Sequence, residues 1–142
     1  MNQPVRERDA LHTVALTLNG CSRTGQARPR LLLSDFLRHE LGATGTHVGC
    51  EHGVCGACTV ELNGQIVRGC LTLAVQADGG EVLTIEGASQ SGVIRDLQEA
   101  FVRRNALQCG FCTSGMLMAA KELVETQPHA SRTEVREFIS GN

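Results

Sequence analysis

From His12 to Leu18 apolar and polar positions alternate, with Val14, Leu16 and Leu18 on one side, the period of a half-buried strand. Asn19-Gly20 closes it as a two-residue hairpin turn, so a second strand is expected to return beside it. Between Leu31 and Leu41 the period changes. Leu33, Phe36, Leu37 and Leu41 recur at helical spacing while Ser34, Asp35, Arg38, His39 and Glu40 are polar, which predicts a helix with one face on the sheet. Gly42, Gly45, Gly49, Gly53 and Gly56 then break any regular element into a loop. Two short strands, Thr59 to Leu62 and Gln65 to Arg68, flank the hairpin signal Asn63-Gly64, and Glu81 to Ile85 reads as a further strand after Asp78-Gly79-Gly80. The first half is therefore expected to be a small mixed sheet holding one helix.

After Gly87 the period becomes about 3.6 and the rest reads as helices, which places a domain boundary between residues 1–87 and 88–142. Ser91 is placed to cap a helix whose apolar face is Val93 or Ile94, Leu97 and Phe101. A second helix runs from about Thr113 with Met116, Leu117, Ala120, Leu123 and Val124 on its apolar face. A third begins near Ser131, where Ser131 and Glu134 have capping-box spacing ahead of Val135, Phe138 and Ile139. Met116 and Met118 read as core filling rather than as a soft-metal site.

Composition narrows the class. Hydrophobic residues make up 42% and charged residues 20% of 142, which is ordinary for a folded globular chain. A net charge of −2 with both signs interspersed gives no footprint for nucleic acid. The polar segment Met1 to Ala10 lacks the apolar core of a secretory signal, and no apolar run reaches membrane-spanning length. Both observations predict a cytoplasmic chain without membrane insertion, where thiols stay reduced. Its seven cysteines then call for metal rather than disulfides, and six fall into two local groups. Cys21 stands apart and reads as an unpaired structural thiol.

Cys50-x4-Cys55-x2-Cys58, with Cys70 eleven residues further on, has the spacing of plant-type [2Fe-2S] ligands. Three ligands in one short loop wrap the chain tightly, and Gly49, Gly53 and Gly56 let backbone N–H groups approach an anionic cluster. Cys70 arrives from the hairpin built on Asn63-Gly64. A structural zinc site of four cysteines is the alternative, although zinc sites more often pair two short-spaced knuckles. His47 and His52 read as solvent-facing loop residues, because four cysteines already complete the set. The second group, Cys109-Gly110-Phe111-Cys112 at the start of a predicted helix, is by itself ambiguous. It suits a redox dithiol or half of a metal site.

Gly49 to Val60, Arg68-Gly69-Cys70 and Gln108 to Thr113 together resemble the small iron-sulfur subunits of the molybdenum hydroxylases, which include carbon monoxide dehydrogenases and relatives of xanthine and aldehyde oxidoreductases. The resemblance covers nearly the whole chain. It implies an α+β protein, with a ferredoxin-like β-grasp domain followed by an all-α helical-bundle domain. It also implies two [2Fe-2S] clusters, the second near molybdopterin in a large subunit, and electron flow toward FAD, usually in a medium subunit. Cys109 and Cys112 match two ligands of that second cluster, and Gln108 matches a position close to the pterin. Substrate oxidation would then belong to another subunit, and this chain would relay single electrons.

Two features depart from the family pattern. Ser114 stands where proline is usual, with little consequence expected. Family members also continue past the equivalent of Ser140-Gly141-Asn142 into a Cys-x-Cys pair, so the native protein is expected to extend beyond Asn142 and to supply the missing ligands there. The competing readings are a free-standing ferredoxin-like carrier with one cluster and a zinc-stabilised interaction module.

Overall fold

A computed structural model describes residues 9–142; the first eight positions of the polar N-terminus lie outside them. The alternating segment forms β1 (His12–Leu18), which turns through Asn19 and Gly20 into β2 (Cys21–Ala27). Both turn residues have positive φ, 52° and 80°, the geometry that matches the twist of the flanking strands. The same device at Asn63 (51°) and Gly64 (81°) joins β3 (Thr59–Leu62) to β4 (Gln65–Arg68). The strand β5 (Glu81–Leu83) pairs parallel with β1 and antiparallel with β3, giving one mixed sheet in the order β2-β1-β5-β3-β4.

The helix on this sheet differs from its sequence reading. It starts at Leu33 rather than Leu31, because Leu31 closes a turn onto Arg28 and Leu32 bridges Leu73. The first turn, α1 (Leu33–Asp35), widens at once into a π-helical stretch, Phe36–Glu40, closed by the Leu41 N–H on the Phe36 carbonyl at 3.1 Å. Leu33, Phe36, Leu37 and Leu41 nevertheless face the sheet as predicted and pack with Val14, Leu16, Leu18, Val60 and Val82. Full burial of a side chain such as Phe36 contributes about 3 kcal/mol to holding this layer together.

β5 ends at Leu83, two residues early. The Thr84 N–H leaves the sheet for Asn19 Oδ1 at 2.8 Å, and Ile85 already belongs to α2 (Ile85–Ser91). Ser91 is the last residue of that helix, not the cap of the next; its hydroxyl donates to the Ala88 carbonyl at 3.1 Å. Gly92, at φ +77°, ends the turn, and α3 (Arg95–Arg103) follows from Ile94. Ile94 is fully buried and Val93 exposed, which resolves the choice between them.

The long helix α4 (Thr113–Thr126) begins where the sequence placed it, with Ser114 in its first turn. Its buried side is Leu117, Met118, Ala119 and Leu123, whereas Val124 is 52% exposed. The helix is turned this way because Lys121 reaches Glu61 of β3 at 2.7 Å and Glu122 accepts the Ile66 N–H of edge strand β4 at 3.0 Å. α5 (Arg132–Ile139) carries the predicted capping box: the Ser131 N–H donates to Glu134 at 2.7 Å and the Glu134 N–H to the Ser131 hydroxyl at 3.3 Å. Leu117 and Met118 of α4 form a second core with Ala88 and Ile94.

Candidate metal centre

The loop after Leu41 is shaped by its glycines and then gathered by its cysteines. Gly53 and Gly56 take φ of +79° and +68°, and Glu51, a non-glycine, is bent to +56°. This winding aims backbone N–H groups at sulfur. The Cys55 N–H lies 3.4 Å from Cys50 Sγ, and the Cys70 N–H lies 3.4 Å from Cys58 Sγ. Cys70 is delivered by the β3–β4 hairpin, and Cys58 and Cys70 are 1% and 3% exposed while Cys50 and Cys55 are half-buried. All four thiols are free.

The environment divides the thiols electrostatically. Hydrogen bonding from the Cys55 and His52 backbone holds Cys50 down to about 6. Burial pushes Cys70 up to about 11, helped by the neighbouring Cys58 side chain. A sulfur ringed by N–H groups favours thiolate, and a buried thiol gives up its proton only when positive charge replaces it. Such a donor set fits a cationic iron core. Among the described residues no three His, Cys, Asp or Glu side chains are gathered as a single metal ion requires. A Cβ on Gly49 would stand 3.1 Å from Cys55 Sγ, so the backbone lies directly against that sulfur.

The second cysteine pair is differently placed. Cys109 and Cys112 are exposed at the N-terminal end of α4, in a turn opened by Gly110 at φ +79°, and Gln108 before them is also exposed. Cys112 Sγ approaches Met116 Sδ at 3.8 Å, so Met116 has a polar neighbour while Met118 is core, 1% exposed. Cys21 is unpaired, as read, and exposed on β2, far in the sheet order from the hairpin that delivers Cys70.

Sequence reasoning overlooked the contacts that join the two loops. His47 does not simply face solvent. Its ring stacks on Phe111 at 4.7 Å between centroids and 13° between planes, and its Nδ1 lies 2.7 Å from the Phe111 carbonyl. His52 is exposed and turns back on its own loop, Nδ1 lying 2.5 Å from the Cys50 carbonyl. Arg68, two residues before Cys70, donates to Thr59, to Asn142 Oδ1 at 3.2 Å and to the Gly141 carbonyl at 2.9 Å. No local period announces such pairs, since each joins positions many residues apart.

A mixed sheet with three cysteines in a wound loop and a fourth delivered by a hairpin is the arrangement expected of a [2Fe-2S] iron-sulfur protein. Comparison with known proteins agrees: a "2Fe-2S iron-sulfur cluster binding domain" matches residues 45–104 and a "[2Fe-2S] binding domain" matches residues 84–142. The chain is 49% identical over 134 residues to caffeine dehydrogenase subunit gamma of Pseudomonas sp. (strain CBB1), covering 92% of this chain and 80% of that one. It is 50% identical over 129 residues to the nicotine 6-hydroxylase small subunit of Paenarthrobacter nicotinovorans, covering 91% and 78%. Its fold superposes on the crystal structure of quinoline 2-oxidoreductase from Pseudomonas putida 86 with a TM-score of 0.86 at 48% identity, covering 93% of this chain and 82% of that one. The chain belongs to the small iron-sulfur subunits of the molybdenum hydroxylase family, and its role is electron transfer within an oxidoreductase complex. Among the described residues no helix is long and apolar enough to cross a membrane.

Proposed function

We propose that this chain relays single electrons from a molybdopterin centre in a large subunit toward FAD in a medium subunit, through two [2Fe-2S] clusters. In this reading Cys50, Cys55, Cys58 and Cys70 hold the first cluster and Cys109 and Cys112 supply two ligands of the second. Cys21, exposed on β2, is assigned to neither set. The two halves correspond to residues 1–87, a ferredoxin-like β-grasp domain, and residues 88–142, a helical domain that presents Gln108 to the pterin. The complex is placed in the cytoplasm.

The observation that supports this function is a set of four free thiols, two of whose sulfurs, those of Cys50 and Cys58, have backbone N–H groups pointed at them. A [2Fe-2S] cluster supplies reversible one-electron chemistry when bound. The protein's part is to hold thiolates in fixed positions, to surround sulfur with donors that favour negative charge, and to keep bulk water from the buried Cys58–Cys70 side. The relatives' names refer to caffeine, nicotine and quinoline, all nitrogen heteroaromatics; the substrate of this complex is set by the large subunit. Iron and acid-labile sulfide counted on the purified complex, together with its molybdenum and flavin content, test the reading. A colourless complex, or a coloured chain that purifies free of molybdenum, would overturn it.

A further inference from the structure

The His47–Phe111 contact joins the two cysteine loops. Phe111 lies inside the Cys109–Cys112 turn, between the two thiols, and His47 lies three residues before Cys50. A carbonyl oxygen only accepts, so the imidazole must carry its proton on Nδ1 to bind Phe111 at 2.7 Å. Ring stacking at 4.7 Å and 13° fixes the same residue through its side chain. Two interactions on one residue, one on its backbone and one on its ring, hold both the position and the rotation of that turn. On its other side the Phe111 ring lies 3.6 Å from where a Cβ on Gly49 would stand, and that point is 3.1 Å from Cys55 Sγ. Phe111 thus lies in van der Waals reach of the Gly49 position, itself close beside a first-loop sulfur.

We propose that His47 is a positioning residue that docks the Cys109–Cys112 turn against the first cysteine loop and so sets the separation and mutual orientation of the two redox sites. The proposal rests on the reading of Cys109 and Cys112 as ligands of a second cluster. The transfer it serves moves one electron from one site to the other, with no bond made or broken at His47. The clamp acts on a turn that lies at the surface: Cys109 and Cys112 are exposed and Phe111 itself is 46% exposed.

The test uses the intact complex reduced with dithionite, in the parent and in His47→Ala and His47→Gln variants. Iron and acid-labile sulfide are counted, and the magnetic interaction between the two reduced clusters is read as splitting in their electron paramagnetic resonance spectra. The expected result is an unchanged metal count, with the splitting lost in His47→Ala and partly restored by His47→Gln, which keeps a side-chain N–H donor without the ring. A structural role confined to folding would not move that splitting at constant iron. Unchanged splitting in whichever variant retains the parent's iron overturns the proposal. A parent holding the iron of only one [2Fe-2S] cluster per chain overturns the second-cluster reading, and this proposal with it.

Discussion

The two cysteine loops are built on opposite plans. The first is organised by its own backbone: its glycines wind it, two of its sulfurs accept N–H bonds at 3.4 Å, and a hairpin brings in Cys70. The second offers Cys109 and Cys112 on an exposed turn whose position depends on His47 from the other loop. A preorganised loop loses its metal when any ligand is removed but does not depend on its neighbour, whereas a borrowed one depends on both. The largest expected effect follows. Cys55→Ser should abolish the visible absorbance of the first cluster and loosen the loop, which has little apolar surface of its own and relies on metal for its fold. Cys112→Ser should leave that absorbance in place. Complete bleaching by Cys112→Ser would show that the two loops form a single cooperative unit.

The halves also meet where Gly115 of α4 crosses the first loop. A Cβ there would stand 2.0 Å from the Gly56 carbonyl oxygen, a backbone atom that cannot swing aside. Gly115→Ala should gain about 1 kcal/mol of helix propensity but incur about 3 kcal/mol of overpacking, a net loss near 2 kcal/mol. The denaturation midpoint of the cluster-loaded protein measures it. A neutral or stabilising outcome would mean that α4 moves freely on the loop, and the contrast between the loops would then have to be drawn elsewhere.

Most of this contrast was legible in the sequence up to the limit of local chemistry. Cysteine spacing marked the first loop because three cysteines lie within nine positions, and the positive φ of Gly53 and Gly56 follows from backbone winding. Both Asn-Gly hairpins, the start of α4 and the Ser131 cap were legible because each signal is complete within a few residues. Errors arose where a distant partner decided. Thr84 left the strand pattern for Asn19, 65 residues away; the Ser91 misreading was by contrast local, its hydroxyl bonding Ala88 within α2 instead of capping α3. The apolar stripe of α4 was read as including Val124, but Lys121 turned the helix by pairing with Glu61, 60 residues away. The His47–Phe111 stack spans 64 residues and has no periodic signature at all.

Lys121 offers a smaller test of how the halves are joined. Its side chain is 9% exposed and bonds Glu61 at 2.7 Å and Glu125 at 2.9 Å, with Glu61 itself 20% and Glu125 50% exposed. Burial works against its charge, but the two carboxylates outweigh this and its pKa is raised. Lys121→Met keeps the apolar stem and leaves Glu61 free to turn toward water, so the loss should be about 1 kcal/mol rather than the several expected for a sealed pair. Because the folded pKa is raised, the contribution is fully present below the ordinary lysine value of about 10.4 and disappears as pH rises through the folded one. Urea midpoints of parent and variant should therefore differ constantly near neutrality and converge only in strong alkali. Convergence already at neutral pH would remove the ion pair from the joint between the halves.

The smallest effect belongs to the capping box at the start of α5. The Ser131 hydroxyl, and then its backbone N–H, hold the Glu134 carboxyl below the usual glutamate range. The carboxylate is exposed, so its influence stays local to the helix that leads to Gly141 and Asn142, where Arg68 makes its contacts. A depressed folded pKa stabilises above the ordinary value of about 4.3 and loses that contribution as pH falls through the lower folded value. Glu134→Ala should therefore lower the urea midpoint slightly at pH 6, and the difference should shrink as the parent is taken down to about pH 3. Persistence of the full difference at the acid end would assign it to the uncharged part of the Glu134 side chain, with the carboxylate's charge contributing nothing to how α5 is capped.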